Sequence, residues 1–239
     1  MAEVLVGCCG WAGRQADYFR DFKVIEIQQT FYKPVQPQTL QRWREEAPDD
    51  FVFCIKAWQA ITHPASSPTY RKGNIQLPPG RAEEFGFFRP TEAVLEGWER
   101  TLEAARLLRA AVVVFQCPAS FKPTDENKQN LLGFFRSIGP QEFLLAWEPR
   151  GDWSDAEIFG LCQQAGLIHV VDPFVRSPVT SGPVYYRLHG IGGYRYSYTD
   201  DDLRRLRGAV PADRPCFVLF NNVDMRRDAM RFIELLRAG

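Results

Sequence analysis

The octapeptide A-V-V-V-F-Q-C-P at residues 111–118 decides how the chain is read. It is apolar on both alternating faces and stops at the polar Gln116. That is the signature of a strand covered on both sides, as in a parallel sheet flanked by helices. Working outward, seven further runs share its form, at 4–11, 24–32, 51–58, 143–150, 167–173, 184–190 and 216–222. Eight such strands alternating with helical segments predict a single-domain, TIM-barrel-like (β/α)8 fold, and 239 residues is close to the usual length for one. In a barrel of this kind functional side chains sit at the C-terminal strand ends, where the polar residues of these runs fall.

Helices between the strands have recognisable starts. Thr91 and Glu92 open an amphipathic stretch to about Arg109, with Val94, Leu95, Trp98, Leu102, Ala105 and Leu108 at helical spacing. Thr124, Ser154 and Thr199 each precede acidic residues and are expected to cap further helices, and Asp224 or Asp228 starts the last one. Residues 59–90 hold five prolines and little periodicity, so a long loop insertion on the catalytic face is expected. Residues 174–183 are too short and too rich in Pro, Ser and Gly for a crossover helix, which predicts an irregular connection between the sixth and seventh strands.

Lys+Arg and Asp+Glu are both 29, so no global field draws the chain toward nucleic acid or an anionic membrane. Any anion recognition must be local. The six cysteines contain no C-x-x-C pair and read as small core residues, of which only one of Cys8 and Cys9 can face a barrel interior. There is no basic-then-apolar leader and no apolar run long enough to span a bilayer, so a cytoplasmic, membrane-free protein is the expectation.

Several segments occur together and in a familiar order: G-C-C-G-W at 7–11, I-E-I-Q-Q-T-F-Y at 25–32, F-x-F-C-I-K at 51–56, I-T-H-P at 61–64, W-E-P-R at 147–150, Y-Y-R-L-H-G at 185–190 and F-N-N at 220–222. With them the chain resembles the YecE-like family, also known as domain of unknown function 72. The resemblance implies a TIM-barrel-like fold and supplies no settled activity. Gln28 and Gln29 stand where that family often carries smaller polar residues.

Side chains two apart on a strand share a face. Glu26 and Gln28 share one, Arg187 and His189 another, while Lys56, Gln116, Glu148 and Asp172 each end a face that is otherwise small or apolar. Pointed inward, these groups meet at one mouth, where buried charges must pair or hold a ligand. Glu148, Asp172, His189 and Glu26 are therefore the catalytic candidates, and Glu26 reads equally as a structural acid paired with Lys56 or Arg187. Lys56, Arg187, Gln116, Asn222, Tyr194, Tyr196 and Trp11 are the substrate-binding candidates. Tyr194, Tyr196 and Tyr198 are spaced to line one side of an extended loop. His63 reads as a loop hydrogen-bonder and His169 as packed against a helix.

Three functions fit this set. The leading one is hydrolysis of a phosphate ester, with nucleic acid as one substrate class. Lys56 and Arg187 would clamp the anion, Glu148 or Asp172 would activate water or hold a divalent metal, and His189 would protonate the leaving oxygen. Arg71, Lys72, Arg81 and Arg89 are the residues that would form a local basic patch. The second is carbohydrate chemistry with Glu26 and Glu148 as paired carboxylates. The third is a noncatalytic protein that binds a small anion or a partner.

Overall fold

The computed structural model describes residues 2–238. The apolar runs form eight strands: β1 Val4–Cys9, β2 Val24–Ile27, β3 Val52–Lys56, β4 Val112–Gln116, β5 Leu144–Glu148, β6 Leu167–Val171, β7 Val184–Leu188 and β8 Cys216–Phe220. Each lies parallel to its sequence neighbour, and β8 pairs with β1, so the sheet closes with no free edge. The expected barrel is present.

Between the strands run α1 Gln15–Asp21, α2 Gln29–Tyr32, α3 Pro37–Glu46, α4 Gln59–Thr62, α5 Pro68–Lys72, α6 Glu92–Leu108, α7 Asp125–Ile138, α8 Asp155–Ala165, α9 Asp200–Ala209 and α10 Met225–Arg237. No helix joins β6 to β7, as the composition of 174–183 implies. Ser154 and Thr199 form reciprocal capping boxes with Glu157 and Asp202, and Thr124 accepts from the Asn127 amide. Thr91 differs: its hydroxyl donates to the Glu84 carbonyl at 2.6 Å and caps nothing. No helix among the described residues is long and apolar enough to cross a membrane.

Segment 59–90 is more ordered than its prolines suggest. It carries α4, α5 and a single 3₁₀ turn at Ala82–Glu84, and it buries Tyr70, Phe85 and Phe88. The run at 24–32 likewise splits, since the strand ends at Ile27 and α2 follows.

Alternation sorts the strand residues into two layers. Ile25, Phe53, Val113, Phe115 and Trp147 face outward into the helix-packed core. Cys9, Val24, Cys54, Val114, Ala146, Val170 and Leu219 fill the barrel interior beneath the polar mouth. All six cysteines are buried with free thiols, and of the vicinal pair it is Cys9 that points inward. At Gly7 a Cβ would lie 2.0 Å from the Val24 carbonyl oxygen, so only glycine lets β1 and β2 approach this closely.

Gly7→Ala is accordingly expected to destabilise the fold by about 3 kcal/mol or more. Gly133→Ala, at an exposed position of α7 with nothing near its added methyl, should stabilise by about 1 kcal/mol. Denaturant midpoints of the two variants should move in opposite directions.

Candidate active site at the barrel mouth

Arg187 enters from β7 and is completely buried. Its Nη2 lies 2.8 Å from Glu26 Oε1, and its Nη1 donates to Glu148 Oε2 and, at 3.0 Å, to Gln116 Oε1. The strand register makes this convergence possible by setting Gln116 beside Glu148 across β4 and β5. Glu26 takes two more donors, the Tyr185 hydroxyl at 2.9 Å and the Gln28 amide. Of the two cations named above as its partner, it is Arg187 and not Lys56 that Glu26 pairs with.

The remaining oxygen of Glu148 faces Arg150 Nη2 at 2.5 Å and His189 Nε2 at 3.1 Å. Burial would raise the Glu148 pKa, but the Arg187 charge, the His189 hydrogen bond and the Arg150 charge outweigh it and hold the carboxyl well below its ordinary range. His189 Nε2 also lies 2.8 Å from Arg150 Nη2, and its Nδ1 lies 3.1 Å from Asn221 Nδ2. Because arginine only donates and a carboxylate only accepts, Nε2 has a partner in either state. Unprotonated, it accepts from Arg150; protonated, it donates to Glu148.

Lys56 ends β3 with 5% exposure. Its Nζ stands 3.5 Å from the centre of the Phe31 ring, and among the described residues no carboxylate lies within 4.0 Å of it. Burial foremost, then the Arg187 charge, pull its pKa down to about 7 against the opposing pull of Glu148 and Glu26. His63, edge-on to Phe31, is pushed down to about 3 by burial and by the Lys56 charge.

These groups surround a cavity of about 450 Å³ lined by Gln28, Phe31, Tyr32, Lys56, His63, Thr69, Lys72, Gln116, Arg150, Arg187, His189, Tyr194 and Asn221. None of the lining residues is acidic. A groove of about 490 Å³ beside the N-terminal ends of β1 and β2 is mostly apolar and gathers no comparable cluster. The mouth is therefore the candidate site.

Four candidates lie elsewhere. Asp172 follows the end of β6 and accepts from the His189 and Phe174 amides at 2.9 and 3.0 Å, so it fixes the turn that presents His189. Asn222 faces away from the interior and bonds the Tyr196 carbonyl and Asp228, each at 2.8 Å, while its neighbour Asn221 lines the cavity. Tyr196 donates to Asp202, and Tyr198 is buried and accepts from the Gly190 amide, so of the loop tyrosines it is Tyr194 that reaches the mouth. Trp11 packs edge-on against Tyr18, Phe19 and Trp43 in the outer layer.

His169, expected to pack against a helix, accepts at Nδ1 from the Val179 amide of the irregular β6–β7 connection at 3.2 Å. Arg150, Asn221 and Tyr185 are site residues not assigned from sequence. Tyr185 is two positions before Arg187 and on its face, a signal that was present. Among the described residues no three His, Cys, Asp or Glu side chains form a metal-ligand set. With both Glu148 oxygens committed to cations, these residues do not fit the divalent ion that the sequence allowed.

Comparison with known proteins covers the whole barrel. The family described as "Protein of unknown function DUF72" matches residues 5–239. A DUF72 family protein from Enterococcus faecalis V583 superposes with a TM-score of 0.74 at 17% identity, over 100% of this chain and 99% of that one. One from Thermotoga maritima MSB8 does so at 0.71 and 20%, over 98% and 99%. The UPF0759 protein YecE of Escherichia coli (strain K12) is 40% identical over 50 residues, which span 21% of this chain and only 18% of that relative. Endonuclease IV from Thermus thermophilus superposes at 0.50 with 14% identity, over 99% and 97%. At these identities the structural likenesses establish the fold alone.

The Lys56 surroundings give a stability test. Because its folded-state pKa of about 7 lies below the ordinary lysine value, the unfolded chain holds this proton more tightly between those values. Lys56 thus destabilises the fold most below pH 7, and the cost fades as pH rises toward 10. Lys56→Met should be more stable than wild type at pH 7 by on the order of a few kcal/mol, with the gap closing by pH 10. Urea denaturation of both proteins across that range checks it.

Proposed function

This chain belongs to the DUF72 family, and we propose that its barrel mouth hydrolyses a small phosphate ester. The observation that carries the reading is the cavity wall, where Lys56, Lys72, Arg150, Arg187 and His189 converge and no acid opens onto the space.

Arg150 and Lys72 take phosphoryl oxygens, while Arg187 contributes charge from beneath. Lys56, as a neutral amine, accepts a proton from the attacking water. As the new O–P bond forms, the ester P–O bond breaks, and the proton on His189 Nε2 passes to the leaving oxygen. Glu148, an ionised carboxylate bound to Arg187 and Arg150, orients His189 by accepting from its Nε2, and His189 regains its proton from solvent after the leaving oxygen has taken it.

A small substrate is favoured over a polynucleotide. Arg81 is tied to Glu84 and Glu92, and Arg89 to the Phe85 carbonyl, so they form no continuous basic track toward the mouth. The likeness to endonuclease IV is compatible with hydrolysis at phosphorus but bears on the shell of the site alone. Paired-carboxylate sugar chemistry is disfavoured because Arg187 bridges Glu26 and Glu148.

Phosphate release from a panel of small phosphomonoesters should be detectable and unaffected by exhaustive chelation. His189→Asn should lower kcat by about 10²- to 10⁴-fold, Arg150→Met should chiefly raise KM, and the acid limb of the wild-type pH–rate profile should rise through about 7 as Lys56 loses its proton. Absence of turnover, or turnover indifferent to Lys56 and His189, would discard the reading.

A further inference from the structure

We propose that Lys56 is also an amine nucleophile that forms an iminium with the carbonyl carbon of a small anionic aldehyde or ketone. This concerns the same cavity but a different bond, and it does not require that phosphate esters be hydrolysed.

The geometry isolates the amine. Lys56 ends β3 on the interior face, its carbonyl accepts from Thr30 Oγ1 at 2.7 Å, and the next amide, of Ala57, donates to the Val114 carbonyl at 2.9 Å. The base of the side chain is therefore held at the cavity wall. Nζ stands over the Phe31 ring with no carboxylate to hold it as a salt bridge. Charged and titratable groups face it from every side: Cys9 from β1, Glu26 from β2, Glu148 from β5, Arg187 from β7 and His63 after α4. The carboxylates among them are bound to Arg187. Burial and that guanidinium leave about half of the amine neutral near pH 7. A desolvated lysine beside a second cation is the setting in which amines add to carbonyls.

The cavity supplies the rest. Arg150 and Lys72 line it and can hold a carboxylate or phosphate on the incoming molecule, placing its carbonyl over Nζ. The Nζ–C bond forms as the C–O π bond opens to a carbinolamine. Its oxygen then leaves as water, carrying one hydrogen from Nζ and one proton from solvent, and a C=N iminium remains. No oxidant or reductant enters the step.

The test is reductive trapping on the full chain. Glyoxylate and dihydroxyacetone phosphate are each incubated with wild type and cyanoborohydride, and the product is mapped by peptide mass spectrometry. Hydride added to the iminium carbon fixes a stable secondary amine. One adduct on Lys56 is expected, absent from Lys56→Arg, forming with a midpoint near pH 7 and at neutral pH at least ~100-fold faster than on an exposed lysine such as Lys122. Label spread over lysines without preference for Lys56 in folded wild type would overturn the proposal, and so would a pH midpoint near that of surface lysines. Glyoxylate carries no phosphate. Trapping on Lys56 without phosphate release discards hydrolysis alone, and release without trapping discards the iminium alone.

Discussion

Arg187 holds the mouth of this barrel together. A fully buried guanidinium is tenable only where its charge is met, and here Glu26 and Glu148 neutralise it while Gln116 accepts from it, all from other strands. Lysine would not serve in its place. A point charge cannot present separate donors to two carboxylates on different sides, whereas a planar fork can. Because each partner is fixed by strand register, closing the sheet and assembling the charge cluster are one event.

The same interaction explains why the cavity above is cationic. By binding both acids from below, Arg187 removes them as counterions for anything that faces the opening. Lys56 is left beside an aromatic ring, and Lys72 donates to the Tyr32 hydroxyl. Desolvation and the Arg187 charge then outweigh the opposing pull of Glu148 and Glu26, neither of which reaches Lys56 as a salt bridge, and its pKa falls to about 7. The protonation of the mouth is set by the layer beneath it.

Period-two alternation made most of this layer legible in the sequence. Glu26, Lys56, Gln116, Glu148, Arg187 and His189 all stand where alternation puts them, because each is on a strand or one residue past it. Prediction failed where the backbone had already turned. Trp11 lies two residues beyond β1 and no longer keeps that strand's inward direction, whereas Asn222 shares the outward parity of Val218 and Phe220, so alternation points to Asn221 as the residue that faces the cavity. Asp172 falls immediately after β6, where a carboxyl followed by proline is more useful to free amides than to a ligand. Nothing local distinguishes it from Glu148. The buried Tyr70, Phe85 and Phe88 of segment 59–90 were hidden for another reason: short helices give no period long enough to read.

A barrel shell of a kind that hosts many chemistries does not choose one, since function is set by the side chains at the strand ends. In this chain nitrogen groups face the cavity and oxygen acids lie under it. A site built from unpaired carboxylates is poised by their repulsion and is relieved by binding a cation. A site built from an arginine, two lysines and a histidine over neutralised acids is relieved by binding an anion. The balanced net charge of the whole molecule does not contradict this, because the imbalance is local and buried, where the dielectric screens it least. The order of the two layers, acids below and bases above, is therefore what favours an anion as the ligand proposed for this site, more than the composition of either layer.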